Sequence, residues 1–308
     1  MSGVGGASGG PAGGAAGKGA AGTGGASNGG SAGVGASSGA AGTSAIGGGA
    51  GASGAAGNAG ASGSAGASGS GAAGFGGTTG FDKDGDGLDD GYEAALAEAY
   101  LPFLAVDAND GCALGGMLYR IRPHPLDKTQ IHVVYDHLYQ TDCGLGGHIG
   151  DDETFSITID PKKPPPEGIV AIKAISHQGT LCEKDTLCGS CPGLKKCDLA
   201  PKNGKMYPAV FSSKDKHGTF ATLGDCASIC FDACSLPPSP AIVLFTNAGE
   251  PNGHLTDDLT TDGFITAANG WTEPTLLHFD PWKAGKFGGA GDVSQDLVDP
   301  AFDTPVCP

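Results

Sequence analysis

The first 80 residues of the chain lack nearly all the side chains that build a core or carry charge. They contain one charged residue, Lys18, and no cysteine, but 33 of the 58 glycines. A segment of this composition cannot bury enough apolar surface to offset the entropy lost by ordering its backbone. The irregular glycine spacing excludes a collagen helix, which needs glycine at every third position. We therefore expect residues 1–80 to form a disordered Gly/Ala/Ser-rich linker or stalk.

The sequence also shows no transmembrane segment and no signal peptide. No apolar run approaches the roughly 20 residues of a membrane span, and neither a basic nor an apolar leader region follows Met1. All ten cysteines lie between Cys112 and Cys307. An even number at this density favours disulfides formed in an oxidising compartment. We therefore expect an extracellular or cell-surface protein, with a lipoprotein as one option, whose export signal is not visible in this sequence.

The cysteine spacing leaves zinc as an alternative to disulfides in one segment. The four cysteines around a central C-x-x-C are Cys182, Cys188, Cys191 and Cys197. This segment is too short for two separated zinc knuckles, so disulfides are favoured. A second group is spaced by four residues, which suits one face of a helix predicted over 224–235. It consists of Cys226, Cys230 and Cys234. Three cysteines cannot all pair with one another, so at least one must bond to another segment.

Basic residues are scarce in the rest of the chain. Residues 81–308 carry 16 Lys and Arg (17 less Lys18) against 33 Asp and Glu, a net charge of 16 − 33 = −17 with histidine neutral. Such a domain repels nucleic acid and anionic membrane surfaces unless cations intervene. We expect no nucleic-acid partner, and the sequence leaves the oligomeric state open.

A calcium-binding loop is predicted where the linker ends. The segment DKDGDGLDDGYE, residues 82–93, fits the twelve-residue loop of an EF-hand, with Gly87 at the sharp turn. The predicted Ca²⁺ ligands are Asp82, Asp84, Asp86, Leu88 (through its carbonyl), Asp90 and Glu93. The alternative is an acidic, solvated turn. A helix is predicted over 89–101, ending near Pro102.

Since no helix can precede this loop, it resembles half of an EF-hand, as in dockerins and thrombospondin type 3 repeats. We expect residues 81–104 to stiffen the junction between the linker and the domain that follows, residues 105–308.

The remaining sequence predicts short strands separated by turn-forming residues. These strands are β-branched or aromatic and bounded by Gly, Pro, Asp and Asn, which favours an antiparallel β-sandwich with disulfide-pinned loops and one or two short helices. The segments that fit are 116–122, 130–140, 153–160, 169–176, 207–213, 241–246 and 275–279. Residues 179–205 are expected to form a long irregular loop.

Two acids begin one of these strands on its predicted core face. In DETFSITID, Asp151 and Glu153 share a face with Phe155, whereas Asp152 lies on the opposite, outward face. Buried carboxylates need a cation or bases, and few bases are nearby in the sequence. His148 lies in a glycine-rich loop that can fold back toward the same point. These residues predict a divalent-cation site at one end of the sandwich.

The same segment carries a family resemblance. GHIGDDE, residues 147–153, fits G-H-x-x-D-x-E and resembles the heptapeptide G-H-R-H-D-W-E of Nep1-like (necrosis-inducing) proteins and a segment of Vps62-related domains. The segments AEAYLPFLAVDAND, AISHQGT and YPAVFSSKDKHGTF are similar to further family segments in the same order. The resemblance spans about residues 97–220.

The resemblance implies a β-sandwich with a divalent-metal site that binds glycosylated lipid headgroups. The residues at its metal-binding positions are His148, Asp151, Glu153 and His217, for Ca²⁺, Mg²⁺ or Mn²⁺. Asp152 replaces the tryptophan of the family motif, and Gly150 replaces its second histidine. These departures argue against membrane damage and leave the metal-binding residues in place. Asp142, just ahead of the loop, is a further candidate ligand.

Three functions are compatible with these patterns. The first is a secreted or surface-tethered, metal-binding module for a glycan, glycolipid or membrane headgroup. The second is a metal-dependent hydrolase, in which His148, His177 or His217 helps to activate water. It ranks lower because the chain lacks G-x-S-x-G and H-E-x-x-H, and no catalytic residue is assigned. The third is a purely structural or adhesive surface module. Trp271 and Trp282 could line a carbohydrate platform, although such a segment is more often core and turn.

Overall fold

The computed structural model describes residues 81–226, 230–241, 258–283 and 291–307, and the backbone of 245–247. They lie within one compact unit, Ser68–Pro308. The predicted linker, residues 1–80, lies outside the described residues, as do residues 242–244 of the predicted strand 241–246.

The described residues form ten strands and three α-helices. The strands are β1 (Phe103–Val106), β2 (Leu114–Pro123), β3 (Ile131–Thr141), β4 (Ile149–Ile159), β5 (Ile169–Ser176), β6 (Lys184–Gly189), β7 (Leu199–Lys202), β8 (Lys205–Ser212), β9 (Thr219–Phe220) and β10 (Phe245–Asn247). The helices are α1 (Asp90–Tyr100), α2 (Leu223–Cys226) and α3 (Val293–Asp296). Short 3-10 turns occur at Ala267–Asn269 and Pro300–Phe302.

The strands form two sheets, as the sequence predicts. The larger sheet has the order β10-β2-β3-β4-β5-β6, and the smaller one has the order β1-β8-β7, with β9 also paired to β8. Neighbouring strands are antiparallel except for the parallel pairs β1–β8 and β10–β2. The mainly β sandwich is thus confirmed, with two parallel pairs that the sequence did not predict.

The main core lies between the two sheets and under α1. It takes the inward residues of the long strands, such as Tyr135 of β3 and Phe155 of β4, whose rings stack at 5.0 Å. Helix α1 contributes Leu96 and Ala97, and the Ala97 carbonyl accepts a hydrogen bond from the Tyr135 hydroxyl at 2.8 Å. Alternation along β4 therefore places the face of Phe155 in the core, as predicted.

The opposite face of the larger sheet is buried too. Leu118, Val134 and Leu138 pack there in a second core with described residues of the segment 259–297. Residues at the C-terminal end continue this cover, since Phe302 and Thr304 contact Ser156 and Thr158 of β4. The expectation that the face of Asp152 points outward into solvent is therefore wrong, because the C-terminal segment supplies a third layer.

All ten cysteines form disulfides, as expected, and this excludes the zinc alternative for the central C-x-x-C. The pairs are Cys112–Cys143, Cys182–Cys230, Cys188–Cys197, Cys191–Cys307 and Cys226–Cys234. One cysteine of the group spaced by four does reach another segment, as predicted. The predicted helix over 224–235 is only partly observed. Helix α2 covers Leu223–Cys226, residues 227–229 lie outside the described residues, and residues 230–235 are not helical but begin with a turn.

Three smaller expectations also need correction. Residues 179–205 are not an irregular loop, because they contain β6 and β7, which extend the two sheets. Residues 275–279 form turns instead of a strand. Trp271 and Trp282 are fully buried in the second core and pack against each other at 5.6 Å, so they offer no carbohydrate platform.

No helix among the described residues is both long enough and apolar enough to cross a membrane.

Candidate functional site

The two acids near the start of β4 lie on the face of the larger sheet that also carries Phe155. Asp151 is 7% exposed, and its Oδ2 lies 2.7 Å from Nδ1 of His217, 66 residues away. His217 itself is fully buried. The structure thus brings together two of the four residues predicted for the sandwich metal site.

A strained turn presents His217 to this site. Its backbone has φ 59°, a left-handed conformation uncommon for a residue other than glycine. The turn is closed by hydrogen bonds from the His217 amide to the Ser213 carbonyl (2.9 Å) and from the Ser213 amide to the Gly218 carbonyl (3.0 Å). The Tyr139 ring stacks on the imidazole at 3.5 Å. The side chain is therefore fixed between the two sheets.

A third acid, Asp110, completes the surroundings of His217. Its Oδ2 lies 3.5 Å from Nε2 of His217, and its side chain is 4% exposed. Burial opposes a charge on His217, but the carboxylates of Asp110 and Asp151 outweigh burial and raise the pKa of His217 to about 9. The imidazole is therefore positively charged near neutral pH and lies between two carboxylates.

Sequence spacing did not identify Asp110 as a site residue, because a disulfide brings it there. Cys112 is bonded to Cys143, which begins the glycine-rich loop ahead of His148. The turn before His217 joins both segments. The Asp215 carbonyl accepts a hydrogen bond from the Cys143 amide (3.1 Å), and its Oδ1 accepts one from the Gly111 amide (3.0 Å).

Glu153 lies on the same face of β4, opposite His137 of β3. Burial raises the pKa of Glu153 well above its usual range, and the nearby carboxylates, Asp151 first among them, add to the effect. Asp232 is another of these acids; its Oδ2 is bonded to Nε2 of His177 at 2.7 Å. Asp232 was not predicted, since it lies in a turn without a recognisable motif.

His148 makes different contacts from those predicted. Its Nδ1 is 2.6 Å from the Gly150 carbonyl, and its Nε2 is 3.7 Å from Oδ2 of Asp142. His148 and Asp142 are therefore neighbours at the mouth of the site. Asp142, the additional candidate ligand, therefore lies next to His148 of the motif.

In the described part of the chain, three groups of acid, histidine or cysteine side chains bring ligand atoms within 4.8 Å of one another. They are Asp82–Asp84–Asp86, Asp110–Cys112–His217 and Asp136–Asp152–Asp296. In the second group Cys112 is disulfide-bonded and cannot supply a thiolate. The motif residues His148, Asp151, Glu153 and His217 do not form such a group among the described residues. Asp151 contacts His217, whereas His148 contacts Gly150 and Asp142.

The predicted calcium loop is compact and precedes α1, which begins at Asp90 close to the predicted start. Asp82 accepts hydrogen bonds from the amides of Gly85 (2.7 Å) and Gly87 (3.1 Å). Gly87 has φ 99°, which glycine adopts without strain. The Asp90 carboxylate accepts a hydrogen bond from the Lys83 amide at 2.9 Å and so closes the loop.

The acids of this loop leave oxygen atoms suited to a cation. Oδ2 of Asp86 is buried and makes no hydrogen bond within the described residues. Burial raises the pKa of Asp86 to about 6, and the carboxylates of Asp84 and Asp82 add to this shift. Glu93 is 1% exposed on α1, and Leu88 anchors the loop in the main core. The loop fits the chemistry of Ca²⁺, a cation that prefers oxygen ligands.

Comparisons with known proteins give weak structural matches. No family model and no curated protein matches the chain. A solved structure described as "Toxin fold for microbial attack and plant defense" shares 13% identity over 50% of this chain and 73% of its own, with a TM-score of 0.29.

Two further matches are structures described as NLPPya in complex with glucosamine and with mannosamine. They share 15% and 13% identity, cover 50% of this chain and 71% and 72% of their own, and have TM-scores of 0.28 and 0.31. These solved structures are Nep1-like proteins. Identity this low does not transfer a ligand or an activity.

Proposed function

We propose that this chain is an extracellular or surface-tethered module that binds a divalent cation at the end of its sandwich and, through it, a glycan or glycolipid headgroup. The proposed ligands are Asp142, His148, Asp151 and Glu153, together with His217, whose imidazole must release its proton to bind the ion. Asp110 holds His217 in place from its other side.

The observation that carries this proposal is the excess of acids at the site. Glu153 interacts electrostatically with Asp151 and Asp232, and Asp110 and Asp151 flank His217. Among the described residues, the imidazoles of His177 and His217 are the basic side chains paired with Asp232, Asp110 and Asp151. Crowded carboxylates destabilise one another unless they take up protons or a cation. A divalent cation would offset this repulsion, and Ca²⁺, Mg²⁺ and Mn²⁺ all accept carboxylate oxygens.

Charge favours a neutral or amino sugar as the ligand. A partly hydrated cation can exchange its water for sugar hydroxyls, and the carboxylates around it can accept hydrogen bonds from hydroxyl or ammonium groups. A net charge of −16 for the whole chain repels sulfated or sialylated glycans. Glucosamine and mannosamine are therefore suitable first probes.

Calorimetric titration of the full chain tests this function in two steps. Ca²⁺, Mg²⁺ and Mn²⁺ are titrated first, and each amino sugar is then titrated with the ion present or removed by chelator. We expect the sugar to bind only with the ion, and Asp151→Asn/Glu153→Gln to abolish sugar binding. The double variant Asp82→Ala/Glu93→Ala, in the separate calcium loop, should still bind the sugar. Sugar binding that survives chelation would contradict the proposal, and a complete lack of sugar binding would favour a structural or adhesive module.

One observation favours a hydrolase as the second candidate. His177 and the buried Asp232 form a 2.7 Å pair of the kind that orients a general base, and Asp232 lies near Glu153. Turnover of phosphoesters, glycosides or peptides that is lost in Glu153→Ala would place this activity above simple binding. Turnover that is retained in Glu153→Ala would show that this site does not carry the hydrolytic activity.

The loop at residues 82–93 is proposed to bind Ca²⁺ and to stiffen the start of α1. The convergence of Asp82, Asp84 and Asp86 supports this role. We expect Asp82→Ala/Glu93→Ala to remove one calcium-binding event and to increase amide hydrogen exchange in residues 81–100. If removal of calcium from the wild-type chain leaves amide hydrogen exchange in residues 81–100 unchanged, this result would favour a solvated turn.

A further inference from the structure

The second face of the larger sheet carries a cluster of acids that the sandwich site does not use. Its members are Asp136 of β3, Asp152 of β4 and Asp296 of α3, and one carboxylate oxygen from each lies within 4.8 Å of the others. Asp136 is fully buried, the carboxylate oxygens of Asp152 are buried, and Asp296 is partly exposed. The cluster therefore has a buried base and is open on the side of Asp296.

Strand register separates this cluster from the first site. Asp136 pairs with Thr154, and Leu138 pairs with Asp152, so Asp136 and Asp152 are diagonal neighbours on one face. Asp151, adjacent in sequence, has the opposite orientation and contacts His217. The start of β4 thus places acids on both sides of the sheet.

Polar atoms of this cluster lack partners. Within the described residues, no donor meets either carboxylate oxygen of Asp136 or of Asp152 with good hydrogen-bond geometry. Their polar neighbours are one another, Asp296 and the Thr154 hydroxyl, which is on the same face and 3% exposed and also lacks a partner of good geometry there. In the same part of the chain, no lysine, arginine or histidine forms an ion pair with any of the three acids. Buried polar atoms are rarely left in this state unless an ion or ordered water meets them.

The backbone of Gly291 passes directly against the Asp152 carboxylate of this cluster. Gly291 has φ 84°, and a Cβ atom there would lie 1.3 Å from Oδ1 of Asp152. The chain then enters α3, whose N-cap is Asp292, and reaches Asp296 within the same short helix. The segment 291–297 therefore lies directly over β4 and carries the third acid to the other two.

We propose that Asp136, Asp152 and Asp296 bind a second divalent cation, of the calcium class, with the Thr154 hydroxyl as an additional oxygen ligand. All four candidate ligands are oxygens, and three belong to carboxyl groups, which suits Ca²⁺ and disfavours metals that prefer nitrogen or sulfur. Water can complete the coordination from the open side. The bound ion would link the C-terminal layer to the central sheet.

Protonation of the carboxylates is the alternative to cation binding, because it also removes the repulsion among them. Burial raises the pKa of Asp136 and of Asp152 well above the usual range. The Asp296 carboxylate adds to the shift of Asp136, and Asp136 and Asp296 both add to the shift of Asp152. If protons alone neutralised the cluster, calcium would have no effect on the C-terminal layer. The two alternatives therefore differ in a measurable way.

The test uses the full chain with the other two candidate sites removed. The background is Asp82→Asn/Asp84→Asn/Asp86→Asn combined with Asp151→Asn/Glu153→Gln. We expect calorimetry to detect one remaining calcium-binding event and added Ca²⁺ to raise the melting temperature. Asp152→Asn in this background should weaken calcium binding by at least about tenfold, as loss of metal-site partners commonly does. Asp296→Asn, on the short helix, should have the same effect.

A matched control and a folding check complete the design. Glu98→Gln removes one exposed acid of α1 and should leave calcium affinity unchanged. In chelator, Asp152→Asn and Asp296→Asn should melt no lower than the background, because each relieves repulsion among the three carboxylates. The proposal is overturned if the background binds no calcium, or if both variants retain its affinity. If one of these two variants is unfolded in chelator, the calcium affinity of the other variant alone tests the proposal.

Discussion

Asp152 stands where the motif that this chain resembles has tryptophan, and its surroundings suit an acid. Asp136 and Asp296 approach it on the second face of the larger sheet, and the backbone of Gly291 passes against its carboxylate. An indole would need space that this backbone occupies. The aspartate at this position therefore fits the space that the Gly291 backbone leaves.

His132 of β3 provides a test of pH dependence away from both proposed cation sites. It is 1% exposed, and its Nε2 is 3.3 Å from the Phe302 carbonyl. Burial, with Arg122 and His124 nearby, lowers the pKa of His132 to about 3. The fold holds this imidazole neutral, whereas the unfolded chain protonates it near pH 6.5.

The stabilising effect of a neutral His132 is complete above about pH 6.5 and is lost as the pH falls toward 3. We expect the free energy of unfolding to fall by up to about 1.4 kcal/mol per pH unit from this residue. Denaturant titrations between pH 7 and pH 4 measure the slope, which His132→Asn should reduce. His278→Asn, at an exposed position in a turn, is the control, and equal slopes in both variants would refute the prediction.

Gly115 of β2 tests the packing of the second core. A Cβ atom at this position would lie 2.2 Å from the ring of the buried Trp271. We expect Gly115→Ala to lower the free energy of unfolding by about 1–3 kcal/mol, because the ring must move within a packed core. Gly224→Ala is the control, since no atom lies within 4 Å of its added Cβ. Thermal unfolding compares the two, and similar melting temperatures would disprove the close approach.

At the scale of elements, β4 organises the molecule because both of its faces are used. Phe155, Ile157 and Ile159 enter the main core, while Ser156 and Thr158 bond to the C-terminal segment. Alternation along a strand makes this possible, since successive side chains point to opposite faces. Ser156 and Thr158 fit the pattern of a solvent-facing surface, but they are hydrogen-bonded beneath the C-terminal layer.

The disulfide Cys191–Cys307 fixes that layer to the loop after β6. It closes 116 residues of sequence, whereas Cys226–Cys234 closes 8. We expect Cys191→Ser/Cys307→Ser to lower the free energy of unfolding by about 2–4 kcal/mol, more than Cys226→Ser/Cys234→Ser does, because a longer closed loop restricts the unfolded chain more. Denaturant unfolding measures both variants. A larger loss from the short pair would contradict this account.

At the scale of the whole molecule, negative charge is the dominant property. The chain has a net charge of −16, and in the described structure three acids converge at each of two places, Asp82–Asp84–Asp86 and Asp136–Asp152–Asp296. In chelator, sodium chloride should raise the melting temperature, because salt screens repulsion among the acids. Calcium at the same ionic strength should raise it further, because bound ions stabilise the folded state. Equal effects of both salts in differential scanning fluorimetry would argue against specific sites.

Much of the fold could be predicted from local patterns. The strand 169–176 was predicted with its observed bounds, and α1 was predicted within one residue at each end, because alternation, turn formers and Pro102 act over short distances. The even cysteine count predicted disulfides but could not give their pairing, which depends on segments up to 116 residues apart. Alternation also placed Asp151 and Glu153 on the core face of β4.

The sequence by itself determined that the domain is acidic, mainly β and disulfide-bonded, because composition and short-range periodicity depend on the chain alone. Only the tertiary structure decided which acids meet. Asp110, Asp232 and Asp296 reach their clusters through a disulfide, a turn and a C-terminal layer, none of which leaves a periodic signal in the sequence. Asp152 was predicted to point outward, but it belongs to a buried cluster because a distant segment covers its face of β4.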